Sequence, residues 1–116
     1  MLTALTHYRG AGSKLILAGD VEDLWQFAVP EVAARYGESV YRAMTEFGDE
    51  KTFRIFGNHD SDWRILPDPA KKAPYRPAEP AEALKMKDAG GAVRVLVVHG
   101  HQGSLDADRD AWSSLS

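Results

Sequence analysis

Leu15-Ile16-Leu17-Ala18-Gly19-Asp20-Val21-Glu22-Asp23 decides how this chain is read. An apolar run bounded by glycine is the pattern of a strand buried on both faces, as in a parallel sheet. A carboxylate-rich turn follows it at once. Working outward, the same arrangement recurs. Phe53-Arg54-Ile55-Phe56 runs into Gly57-Asn58-His59-Asp60, and Val95-Leu96-Val97-Val98 runs into His99-Gly100-His101-Gln102. Ligand sites in open α/β sheets gather at the carboxyl ends of strands, so this reading predicts three polar clusters on one rim. The glycines let the backbone turn sharply away from each strand.

The segments between these strands supply the rest of an α/β pattern. Val32, Tyr36, Val40, Ala43, Met44 and Phe47 form an apolar stripe, which predicts a helix over 32–47. Pro30 and Glu31 suit its first turn, Gly37 is a mild cost inside it, and Gly48 is its stop. Residues 1–8 read as the last turns of another helix, ended by Gly10 and Gly12. Residues 83–87 and 92–98 flank Asp88-Ala89-Gly90-Gly91 and predict a β-hairpin with a glycine turn. Its alternation predicts one end more exposed than the other. Pro67, Pro69, Pro74, Pro77 and Pro80 predict a surface excursion without regular structure. A lid over a pocket is the alternative, with Lys71, Lys72 and Arg76 steering phosphate.

Length and composition set the outer bounds. The chain has 116 residues, 44% hydrophobic and 27% charged, as expected of one globular domain. Its net charge is −3, from 14 basic and 17 acidic residues. No basic block stands out, so a nucleic-acid-binding surface is not expected. Small anionic substrates stay open, because a bound cation reverses the local field. The absence of cysteine excludes disulfides, zinc–thiolate sites and thiol catalysis. No apolar run is long enough for a signal peptide or a membrane span, so a cytoplasmic location is expected. There is no nucleotide-binding glycine loop and no Gly-x-Ser-x-Gly elbow.

The polar clusters hold complementary chemistry. Asp20 offers a hard carboxylate able to bridge two cations. Asn58 offers a neutral amide oxygen, and His99 an imidazole nitrogen. Mixed nitrogen and oxygen donors without thiolate suit manganese, iron or zinc better than calcium. His59 is a candidate proton donor. Taken singly, Asp20 and Asn58 are ordinary turn residues and His99 an ordinary hydrogen-bonded histidine. The specific feature is the set, in this order, with each member at a strand end.

Gly19-Asp20-x-x-Asp23, Gly57-Asn58-His59-Asp60 and His99-Gly100 together resemble the three central motifs of the calcineurin-like metallophosphoesterases. The His-Gly-His-Gln run is closest to a bacterial and phage-type branch. The likeness covers roughly residues 15–102. It implies a β-sandwich core flanked by helices, a dinuclear centre, and hydrolysis of a phosphomonoester or phosphodiester. It also implies roles. Asp20 bridges both metals, Asn58 and His99 ligate the second, His59 protonates the leaving oxygen, and Asp23 orients His59. His101 and Arg64 are candidate contacts to substrate, a phosphorylated small molecule or nucleotide. Two cations about 3.5–4 Å apart clamp a phosphoryl group and generate a hydroxide near neutral pH. A positioned acid such as His59 contributes about 10²–10⁴ in rate.

The family pattern opens with Asp-x-His and closes with Gly-His-x-His, and this sequence departs from both. Leu5 stands where an aspartate would precede His7, and Gly103 follows Gly100-His101-Gln102 where a histidine is needed. The expectation is a single, incomplete metallophosphoesterase domain over residues 1–116. A first strand missing from that domain would leave an uncovered sheet edge. The alternative is an inactive fragment that binds at most one metal or pairs with another chain.

Overall fold

The computed structural model describes residues 1–64 and 80–101. It is a mixed helix-and-strand structure with two small sheets. Helix α1 covers Leu2–Gly10, strand β1 Leu15–Ala18, helix α2 Val29–Tyr36, helix α3 Arg42–Thr45 and strand β2 Thr52–Ile55. Strands β3 Pro80–Ala81, β4 Leu84–Lys87 and β5 Val93–Val97 complete it.

The first sheet has the order β1-β2-β3, parallel throughout, with Leu15 beside Thr52 and Ala18 beside Ile55. Parallel register puts the turns after β1 and β2 side by side, as the strand-end argument requires. Pro80 lies within β3, although the proline run was expected to exclude regular structure. The edge position explains it. An edge strand tolerates a residue that lacks an N–H, and the Ala81 carbonyl still accepts the Phe56 N–H at 2.9 Å. Residues 65–79, which hold most of the proline-rich stretch, lie outside the described residues.

The helix expected over 32–47 begins earlier, at Val29, and is broken by a π turn over Gly37–Tyr41. Glu31 reaches back to accept the Ala28 N–H at 2.7 Å, so the first turn is capped by its own N3 side chain. In the π turn the Arg42 N–H donates to the Gly37 carbonyl, inserting one extra residue into the ladder. Tyr41 at the end of the turn and Met44 beyond it pack with Leu17 of β1 in one buried cluster, against which Leu5, Val32 and Val40 lie. Gly48, at φ +84°, ends the rod as expected. Val29, Phe56 and Trp63 form a second cluster.

Strands β4 and β5 form the expected antiparallel hairpin, with Leu84 opposite Val97. Asp88 builds its turn, accepting the Gly90 and Ala92 N–H groups at 3.0 Å and pairing with Arg94 at 2.7 Å. Val93, Val95, Leu96 and Val98 are exposed and only Val97 is half-buried. β5 is therefore not a third strand of the parallel sheet. His99 comes to the rim from a separate sheet.

β1 lies at the sheet edge, and beside it runs an apolar groove of about 790 Å³. Ile16, Val32, Tyr36 and Met44 line the groove, and Asp20 and Asp23 stand at its polar end. Among the described residues no helix is long and apolar enough to cross a membrane.

Candidate metal centre

Two glycine-led turns meet first. Gly19 has φ +92° and Asp20 φ +52°. A non-glycine residue in the left-handed region costs energy that its surroundings must supply. Here the surroundings are specific. The Asp20 Oδ1 accepts the His59 backbone N–H at 2.9 Å. A Cβ on Gly57 would overlap the Asp20 carboxylate, and one on Gly19 would lie 2.8 Å from the Gly57 nitrogen. The two backbones touch only because neither residue has a side chain.

His99 reaches the same point from the hairpin. Its Nε2 lies 3.1 Å from Asp20 Oδ2, and its Nδ1 lies 3.2 Å from Nδ1 of His101. A metal-bound histidine commonly presents one ring nitrogen to the cation and fixes the other through a partner. Two donor atoms each about 2.0–2.2 Å from one cation lie about 3 Å apart. The Asp20–His99 spacing therefore fits a shared ligand pair. Asn58 is buried between Gly57 and His59, both of which contact Asp20. Asp20, Asn58 and His99 are the residues that would hold a cation. Among the described residues no group of three or more His, Asp or Glu side chains is placed to hold one.

The proton-handling pair is also formed. His59 Nδ1 lies 2.9 Å from Asp23 Oδ1, with both side chains about a third exposed. The His59 hydrogen bond holds the Asp23 carboxyl below its ordinary value, with Gln26 adding a second bond at 2.5 Å. Trp25 stacks on the His59 ring at 4.1 Å between centroids and 19° between planes. Trp25 itself stays 40% exposed. The stack and the carboxylate together fix the imidazole plane, and among the described residues Nε2 is left without a hydrogen-bond partner.

His101, a candidate contact to substrate, is buried against His99. Arg64 ends the 3-10 turn Ser61–Arg64, and its side chain is not among those described. Gln102 also lies outside the described residues.

Sequence reasoning assigned no role to the structure beneath the rim. Arg54 of β2 is 1% exposed and forks onto two acids. Its Nη1 bonds Glu22 Oε1 at 3.0 Å, and its Nη2 bonds both Glu22 Oε2 and Asp60 Oδ2, the latter at 2.9 Å. Glu22 also accepts the Tyr41 hydroxyl and, at 3.0 Å, the Trp63 Nε1–H. Burial pulls the Arg54 guanidinium down, but Glu22 and Asp60 more than offset it, so its proton is held more tightly than usual. Burial, then the Glu22 charge, pushes the Tyr41 phenol well above its ordinary value. The signal was present in the sequence. An arginine inside a strand as apolar as Phe53-Arg54-Ile55-Phe56 must be paired, and Glu22 and Asp60 stand in the turns beside it.

The chain matches no protein-family model, no curated protein and no solved structure.

Proposed function

We propose that these turns are part of a metal-dependent phosphoesterase site of the calcineurin-like type. In this reading the parent domain hydrolyses a phosphomonoester or phosphodiester at a dinuclear centre. The observation that carries it is convergence. Asp20, His59 and His99 come from three separate strand ends, and Asp20 touches the other two at 2.9 and 3.1 Å. Adjacent parallel strands bring the first two turns together in any case, so the discriminating contact is that of His99, which reaches Asp20 from a separate sheet.

The residues divide the work. Asp20, Asn58 and His99 would hold a divalent cation (manganese, iron or zinc), and by the resemblance Asp20 would be the ligand shared with a second. Bound cations supply charge for a phosphoryl group and a nucleophile near neutral pH. Asp23 and Trp25 hold the His59 ring so that its outer nitrogen presents a proton to the leaving oxygen. His101 supports His99 from behind. The substrate class is a phosphorylated small molecule or nucleotide.

The test has two readouts. Mn²⁺ uptake by the chain, followed by electron paramagnetic resonance, should fall at least tenfold in Asp20→Asn and in His99→Ala. Where Mn²⁺-dependent hydrolysis of p-nitrophenyl phosphate is measured, His59→Ala should lower the rate by about 10²–10⁴. Uptake that is absent from the parent chain, or undiminished in both ligand variants, rejects the reading.

A further inference from the structure

We infer that Asp60 is a positioning residue. Its buried carboxylate sets the spacing between the two turns that carry Asp20 and Asn58. For its consequence in catalysis the inference rests on the metal-site reading above. Its geometric part stands on the hydrogen bonds alone.

Asp60 is fully buried. Its Oδ1 accepts the Gly57 N–H at 2.6 Å and its Oδ2 accepts the Val21 N–H at 3.0 Å. Val21 directly follows Asp20, and Gly57 directly precedes Asn58. One rigid fork therefore ties the turn after β1 to the turn after β2, at the residues next to two candidate ligands. Arg54 Nη2 shares Oδ2 at 2.9 Å and supplies the opposite charge that a carboxylate needs away from water.

A carboxylate is the side chain this position demands. Each of its oxygens accepts, so it can serve two facing N–H groups. Asparagine has the same shape but one acceptor, and its amide would face one of the two turns donor to donor. Other links between the turns include the Asp20–His59 and Leu24–His59 bonds, the His59–Asp23 pair and the Gly19–Gly57 contact, but the Asp60 fork is the one that holds the residues beside both Asp20 and Asn58 from within the buried core. A misplacement of about 1 Å at a reacting site can cost about 10²-fold in rate. A bond lost at Val21 or Gly57 therefore shifts a ligand without removing one.

Asp60→Asn tests this, with Phe47→Ala as the control. Phe47 is buried and belongs to neither core cluster, including the one Val21 packs against, so its truncation destabilises the chain without touching the clamp. In the parent, the Val21 and Gly57 amide protons should be downfield and slow to exchange by NMR. In Asp60→Asn at least one should move upfield and exchange faster, and Mn²⁺ affinity should fall at least tenfold. Phe47→Ala should keep both amide signals and bind Mn²⁺ within threefold of the parent. If Asp60→Asn does not fold, the charge-neutral Glu22→Gln/Arg54→Met/Asp60→Asn variant carries the same expectation. Unchanged amide signals in the Asp60 variant overturn the clamp. Altered signals with unchanged Mn²⁺ affinity overturn the positioning role. A parent with the expected amide signals and no Mn²⁺ uptake overturns the metal reading, and the positioning role with it.

Discussion

The turns after β1 and β2 and the hairpin β4–β5 are built on opposite principles, although both begin from short apolar strands. At the turns, charged groups are buried and paired, with Arg54 Nε as the one buried side-chain nitrogen or oxygen left without a partner among the described residues. Glu22, Arg54 and Asp60 lie out of solvent and bond one another, two aromatic side chains and two backbone amides. In the hairpin the apolar side chains are outside and the polar groups of the Asp88 turn do the holding. The difference teaches that an apolar run says a strand is present, not that it is buried. Burial at the rim is revealed by the polar residues, because a carboxylate beside a buried arginine has few arrangements that satisfy both.

The largest expected effect comes from breaking the buried network. Arg54→Met leaves Glu22 and Asp60 without their cation inside the structure. Removing one partner of a buried ion pair costs about 3–5 kcal/mol, so urea denaturation should show most of the stability of a domain this size gone. A loss below about 1 kcal/mol would mean that water reaches the acids. Next is Gly57→Ala. Its Cβ must displace the Asp20 carboxylate, and overpacking of this kind costs about 1–3 kcal/mol. Mn²⁺ binding should weaken with it, since the displaced group is the candidate bridging ligand. Equal stability and affinity would show that the turns can move apart freely.

A smaller effect should appear in the titration of Asp23. The His59 hydrogen bond lowers this carboxyl, so the bond's contribution is present above the ordinary carboxylate range and is lost as pH falls through the depressed value. His59→Ala should return the Asp23 carboxyl, read by ¹³C NMR, toward 3.8. The stability difference between parent and variant should shrink as the solution is acidified below that range. A carboxyl that titrates identically in both proteins would deny the pairing.

Much of this was legible beforehand. The strand-then-turn pattern placed β1, β2 and β5 within a residue or so, and of the expected set Asp20, Asn58 and His99 the structure brings Asp20 and His99 together, with Asn58 buried in the adjoining turn. Glycine marked the turns correctly for a steric reason, since the Gly19–Gly57 contact admits no side chain. What was not legible has physical causes. Sheet membership of β5 is not written in its own residues, because Val-Arg-Val-Leu-Val suits an exposed hairpin as well as a buried sheet. The π turn at Gly37–Tyr41 changes which residues face β1 by one position, a shift that a smooth helical period cannot anticipate. The roles of Glu22, Arg54 and Asp60 depend on side chains from three elements converging, which no single motif displays.

The smallest expected effect tests the hairpin's half of the contrast. Leu96 of β5 is 57% exposed and stands opposite Lys85 of β4. Substitution by threonine keeps a side chain suited to strands while removing apolar surface. Because that surface already meets water, little transfer free energy is at stake, and stability should change by no more than about 0.5 kcal/mol. Mn²⁺ affinity should also hold, since His99 is fixed by Asp20 and His101 and not by the hairpin's outer face. A loss above about 1.5 kcal/mol would be the size expected of a buried leucine. It would show that in solution this face is covered, and that the hairpin, like the turns, owes its position to what packs upon it.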